Sequence, residues 1–285
     1  MTVQDWILTK GDALEARIRP WAQASRARAI VYEALKFIVK QAWACLFGAL
    51  MLGLLTLTHW FWPPNAALAR YDFVVIAAVA IQVVLLITRL ERPQEAVVIA
   101  IFHVTGTIME IFKVSHGSWT YPEPSLIRLF DVPLFSGFMY GAVGSYFARA
   151  TRLLDIGFVR YPPIWATWLL AVAAYINFFT HHYLVDIRLG LFAASLLIFG
   201  ATSLQFTADR TPRRMPMLAA FIGVALCLWI AENIATSAMT WIYPAQSQGW
   251  RLVPITKMGA WYLLMLLSFV LVTVVHRPRP IVRGV

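Results

Sequence analysis

One stretch of the chain is written twice. Glu110 to Pro122 reads EIFKVSHGSWTYP, and 122 positions further on Glu232 to Pro244 reads ENIATSAMTWIYP. The frame Glu-x8-Trp-x-Tyr-Pro recurs without a gap, together with a serine (Ser115 and Ser237). The same offset pairs Thr58-His59 with Thr180-His181 and Trp43-Ala44 with Trp165-Ala166. A correspondence over most of both halves is the mark of a tandem duplication, and it obliges the fold to contain two related units. Each unit places a carboxylate near the end of an apolar run, where an ionisable group is costly unless it is paired and used.

Composition sets the surroundings of that motif. Of 285 residues, 60% are hydrophobic and 13% charged, against about 25% charged in an ordinary globular domain. The expected class is an all-α integral membrane protein. Runs long enough to cross a hydrocarbon core of about 30 Å fall near 41–62, 72–90, 95–114, 132–150, 163–183, 189–207, 215–240 and 257–276. This gives eight transmembrane helices, four per copy: a segment 1–40, a first four-helix repeat 41–162 and a second 163–285.

Eighteen of the 24 basic residues flank one set of helix ends: seven in the N-terminal segment, then Arg89/Arg92, Arg149/Arg152/Arg160, Arg210/Arg213/Arg214 and Arg277/Arg279/Arg283. The other side holds Arg70, Lys113, Arg128, Arg188, Arg251 and Lys257. By the positive-inside rule both termini are cytoplasmic, which fits a multi-pass protein of a bacterial inner membrane. An even helix number per copy then makes the repeat parallel, as in some transporters. The net charge of +10 sits where the membrane rule puts it and calls for no nucleic-acid partner. The first forty residues lack a signal peptide's apolar core. Trp6, Leu8, Leu14, Ile18 and Trp21 among arginines read as an interfacial amphipathic helix on membrane lipid. Cys45 and Cys227 fall inside predicted spans and carry no redox signal.

His103, Thr107, Glu110 and Lys113 share one face of the third span at i, i+4, i+7 and i+10, so that face should look into a bundle interior or a wet cavity. One reading is a Glu110–Lys113 pair at the rim with His103 bonded to a neighbouring helix. The other makes Glu110, Glu232 and His103 catalytic. Trp119 and Tyr121 stand at the same distance from Glu110 as Trp241 and Tyr243 from Glu232, as a wall over each carboxylate. The fourth span opens at Pro133 and carries Gly137, Gly141, Gly144 and Ser145, a small-residue face for close helix contact; Ser136 and Tyr140 are its cavity candidates. The fifth ends in Asn177 and His181, with His182 and Asp186 beyond. Trp119, Tyr121, Trp241, Tyr243, Asn177 and Tyr140 are the substrate-binding candidates. His116, His181, His182 and Asp186 supply donors for a divalent metal, though without a metal-ligand spacing. No other cofactor is expected. Glu110, His116, His181, His182, Trp119 and Tyr121 should form one extracytoplasmic-side cavity, with Lys113 or a histidine as the partner of Glu110.

The runs GSWTYPE, VPLFSGFMYGAVGSY and NFFTHHYLVDIR resemble the YoaT-type family of bacterial multi-span proteins, a likeness over most of the chain that implies no activity. Glu-x8-Trp-x-Tyr-Pro followed by Pro133 or Pro254 is similar to the repeated pattern of the membrane-bound lycopene cyclases and carotenoid hydratases. There, membrane carboxylates act on a polyene without a redox cofactor. Here the proline precedes Leu134-Phe135 or Ile255-Thr256, not the paired glutamates of the cyclases. The leading reading is a cofactor-free acid/base enzyme on a lipid-soluble isoprenoid or lipid. The alternatives are a transporter or binder of a small solute or proton, and a metal-dependent membrane hydrolase.

Overall fold

The computed structural model describes residues 3–281, with side chains from residue 9 onward. The side chains of Trp6 and Leu8, and all of Arg283, lie outside the described residues. Ten helices are described: α1 (Val3–Gln23), α2 (Arg26–Ala44), α3 (Leu46–Phe61), α4 (Arg70–Ile87), α5 (Pro93–Ser115), α6 (Phe135–Leu153), α7 (Ile164–Thr180), α8 (Arg188–Phe199), α9 (Met217–Ser237) and α10 (Lys257–Val272). Three of them, α4, α5 and α9, are long and apolar enough to cross a membrane, and α2 with α3, bent by 65° at Cys45, make a fourth if taken together. With its mean hydropathy of +0.68, the chain is a polytopic helical membrane protein.

Two expectations change. The class is not purely helical: β1 (Arg128–Leu129) pairs with β2 (Val132–Pro133), and β3 (Gly157–Val159), β4 (Ser203–Thr207) and β5 (Pro212–Pro216) form an antiparallel sheet in that order. The run expected to span at 189–207 stops at Phe199. Twelve helical residues at 1.5 Å each reach only about 18 Å, short of the hydrocarbon core. Beyond Gly200 the alternation Ser203-Leu204-Gln205-Phe206-Thr207 has the period of a strand, and β4 forms there. Among the described residues eight full-length spans are therefore not met.

Local signals set the helix that carries the motif. Pro93 occupies the first turn of α5, where its missing N–H loses nothing, and Glu95 accepts from the Arg92 N–H at 3.1 Å. At the other end Gly117 adopts φ +65°, the left-handed turn that only glycine takes without strain, and sends the chain back over the helix end. The small face of α6 packs on α5. A Cβ at Gly137 would stand 2.5 Å from His103 Nδ1, one at Gly141 2.8 Å from Ile99 Cγ2, and one at Gly144 2.7 Å from the Phe102 ring.

Each half has its own apolar core, one around Phe47, Tyr71 and Phe135, the other around Phe199, Phe221 and Phe269. The halves meet along α6 and α10, where the Phe147 and Phe269 rings cross at 5.9 Å. The basic end of the molecule holds a buried charge network unmarked by any sequence motif. Arg149, fully buried, lies 3.6 Å from Glu91 and 3.7 Å from Glu95, and Arg152 bonds Glu95 at 2.9 Å.

Two stability tests follow. Gly141→Leu overfills the α5–α6 contact and should lose about 1–3 kcal/mol, read as a lower melting temperature in detergent, whereas Gly53→Ala, with nothing within 4 Å of a Cβ, should match the parent. Arg149→Met leaves the buried Glu91 without a guanidinium and Glu95 with Arg152 alone, and should lose about 3–5 kcal/mol in the same assay.

Candidate functional site

The end of the molecule opposite the arginines carries both copies of the motif. Gly117 turns the chain after α5, so Trp119 and Tyr121 fold back onto the glutamate nine and eleven residues before them. Trp119 Nε1 and Tyr121 OH donate to Glu110 Oε2 at 2.8 Å each, and Tyr140 OH, from the first turns of α6, donates to Oε1 at 2.8 Å. The carboxylate is 4% exposed, and among the described residues no lysine, arginine or histidine forms an ion pair with it. An ionised carboxylate is an acceptor-only group, and three neutral donors meet that need. Burial, then the Glu110 charge, holds the Tyr121 phenol well above its ordinary range, so it stays a donor at any physiological pH.

The second copy solves the same problem differently. Glu232, 3% exposed, accepts from Tyr243 OH at 2.5 Å and from Trp261 Nε1 of α10 at 2.6 Å. Trp241, the counterpart of Trp119, is buried but does not bond the carboxylate. Tyr243 too is pushed far up, by burial and then by Glu232. The position equivalent to Trp261 in the first copy is Met139, so no comparison of the two motifs points to this tryptophan.

The two centres touch. Thr120 and Ile242, 122 positions apart in sequence, exchange both backbone hydrogen bonds at 3.0 and 2.9 Å. The Trp119 and Tyr243 rings meet edge to face at 5.9 Å. Lys257 Nζ stands over both, 4.3 Å from the Tyr243 centroid and 5.8 Å from that of Trp119, with no carboxylate within ion-pair distance among the described residues. The sequence counted Lys257 only as a charge on the sparsely basic side.

Lys113 does not partner Glu110. One turn further along α5, its Nζ lies 2.8 Å from His182 Nε2 and 3.2 Å from His181 Nε2, over the Phe178 ring at 4.4 Å. Burial and then Lys113, His181 and His116 keep His182 below its ordinary value, which leaves it neutral and able to accept. His116 bonds the Tyr183 hydroxyl. The single cavity expected from topology is thus two centres: carboxylates with aromatic donors, and a lysine with histidines. Of the four candidate metal ligands the three histidines lie ring to ring, His182 being 5.0 Å from His116 and 4.3 Å from His181 between centroids. Two imidazoles face an ammonium, and Asp186 is taken by Arg188 at 2.6 Å and by the Asn177 amide at 3.1 Å. Among the described residues no group of three or more His, Cys, Asp or Glu is placed to hold an ion. Asn177 ties the α7–α8 connection, its Oδ1 accepting from the Ile187 N–H at 3.1 Å. His103, two turns from Glu110, packs on Phe138 at 4.5 Å, its buried Nδ1 without a hydrogen bond.

Glu110→Gln keeps the shape but turns an amide NH2 toward a donor. It should lose about 1–3 kcal/mol in thermal unfolding, more than Trp119→Phe, which removes one donor and leaves the acceptor with two.

Comparison with known proteins identifies a family. A family model described as "Protein of unknown function (DUF817)" matches residues 33–269. The uncharacterized protein YoaT of Bacillus subtilis (strain 168) is 41% identical over 233 residues, 82% of this chain and 88% of that protein. Among solved structures, a mycobacterial Insig homologue from Mycobacterium vanbaalenii matches at a TM-score of 0.45 and 16% identity over 66% of this chain and 98% of its own, as does a cross-linked trimer of the same protein. The resemblance read from GSWTYPE and its companion runs therefore holds, and the chain belongs to the DUF817 family.

Proposed function

We propose that the chain is a carrier or binder of a small cation, a proton or an organic ammonium, working at the seam between two parallel four-helix repeats. The single observation that carries this reading is the pairing of the buried carboxylates through Trp119 and Tyr243, with a lysine over the rings and, among the described residues, no cation fixed to either glutamate. Aromatic faces and carboxylates together attract cations, and the sites of repeat-built transporters lie where the repeats meet.

The repeat itself is supported by element boundaries at one offset: α5 ends at Ser115 and α9 at Ser237, and α6 begins at Phe135 and α10 at Lys257, each pair 122 positions apart. Two contacts join a residue to its own counterpart, Thr120 to Ile242 and Phe147 to Phe269, as a two-fold axis requires. One lies at the motif end and the other further toward the basic end, which fits an axis along the membrane normal and termini on the basic, cytoplasmic side of a bacterial inner membrane. On this reading α8, with its 12 residues, is a partial crossing.

Lys257 acts as a tethered counter-charge. When a cation enters between the rings and the carboxylates, the ammonium withdraws; when it leaves, Lys257 returns, so neither carboxylate is left without positive charge nearby. The acid–base reading on a lipid-soluble alkene has weaker support, because three neutral donors already point at the oxygens of Glu110, an arrangement that suits an accepting carboxylate rather than the proton donor such a reaction needs.

The test is flux in proteoliposomes loaded with a pH-sensitive dye, driven by an imposed pH gradient and by inward gradients of tetramethylammonium and smaller ammonium ions. The parent should give saturable flux of a proton or ammonium, lowered at least tenfold by Glu110→Gln or Glu232→Gln, and Lys257→Met should change its affinity. If no ion in the panel moves and the glutamine variants alter only melting temperature, the carboxylates are structural and the reading is wrong.

A further inference from the structure

The basic end carries a second feature that the cation reading does not use. The N-terminal helices α1 and α2 are fastened to the β4–β5 hairpin by charge. Arg19 and Lys36 reach Asp209 at 3.2 and 2.8 Å, Arg213 reaches Glu33 at 2.5 Å, and Lys40 Nζ donates to the Thr207 carbonyl at 3.0 Å. Burial alone would raise the Asp209 carboxyl, but Lys36 and Arg19 outweigh it and hold it below the usual carboxylate range. The fastening is therefore intact at neutral pH.

Between hairpin and helices opens a cavity of about 380 Å³ whose lining includes Arg19, Arg26, Arg210 and Arg213 together with the carboxylates Glu33 and Asp209. Arg19 and Arg213 are matched by the carboxylates just named. Arg26 and Arg210 have no carboxylate partner among the described residues, so the cavity has two guanidiniums to spare. Its rim includes Ile30, and Ile30 begins an apolar stripe along α2. Val31, Leu35, Ile38 and Val39 follow at helical spacing on the face beside that of Ile30, and all five are 49–65% exposed. Such a stripe on a helix bent 65° from the following span is the face that an interfacial helix lays into acyl chains.

We propose that this cavity binds the phosphate of an anionic phospholipid, with Arg26 and Arg210 forking onto its oxygens and the acyl chains lying along the α2 stripe. Charge complementarity and continuity argue for lipid. Guanidiniums match phosphate oxygens two by two, and the apolar stripe begins at the cavity's own rim, so headgroup and chains of one molecule meet both surfaces at once. Basic pockets beside membrane helices bind acidic headgroups by this logic.

The full chain, purified in mild detergent, is examined by native mass spectrometry and thermal shift with added phosphatidylglycerol, phosphatidylcholine or inorganic phosphate. Phosphatidylglycerol should be retained and should raise the melting temperature, with phosphatidylcholine and millimolar phosphate having little effect. The pair Arg26→Gln/Arg210→Gln should cut retained phosphatidylglycerol at least fivefold, while Arg128→Gln at the opposite end leaves it unchanged. A photoactivatable phosphatidylglycerol on the parent protein should label the peptide 26–44, which keeps the proposal testable if the double variant does not fold. Equal retention of phosphatidylcholine, equal stabilisation by free phosphate, or labelling confined to other helices would each overturn it.

Discussion

The arrangement rests on the difficulty of holding a carboxylate inside a membrane bundle. An ionised group taken out of water without a partner loses several kcal/mol at least, and this chain does so twice at one end. Glu110 and Glu232 are met by indole and phenol donors rather than by arginine or lysine. That choice explains the spacing of the motif. A helix that stops at Ser115, five residues after the glutamate, and a left-handed turn at Gly117 bring positions nine and eleven back over the carboxylate. The second copy makes its turn without glycine, through Met239 at φ 51°, and recruits Trp261 from α10 in place of Trp241.

What the sequence made legible follows from what repeats. The carboxylates, the aromatic wall, Tyr140 and the small face of α6 were all readable, because periodicity and duplication single out residues by position along a helix. The partner of Lys113 was not. Side chains at i and i+3 do share a helix face, yet the α7–α8 connection, folded down by Asn177, brings two imidazoles to Lys113 while the loop after α5 claims Glu110 first. The same limit hid Trp261, which lies outside the repeated frame. It also hid the network of Glu91, Glu95, Arg149 and Arg152, whose arginines read only as the basic flank of a span. The strand at Ser203–Thr207 was missed for another reason: its alternation was legible, but the apolar run before it was extended to membrane length on hydropathy alone.

The two ends of the molecule handle buried charge in opposite ways, and the contrast bears on which end has work to do. At the basic end each buried carboxylate has a guanidinium beside it, Arg149 serving both Glu91 and Glu95. Removing either sign there strands the other, so the network resists any change of occupancy and suits a fixed joint. At the motif end Arg70 pairs with Glu123 and Arg188 with Asp186, each at 2.6 Å, but the two glutamates of the motif have no such partner among the described residues. The motif carboxylates face neutral donors, Lys113 faces the His181 and His182 imidazoles, and Lys257 stands over the rings of Trp119 and Tyr243 with no carboxylate within ion-pair distance among the described residues. Opposite charges that stop short of ion-pair contact leave attraction unspent. On the proposed reading, keeping the pair open is useful because a cation from outside must take the lysine's place.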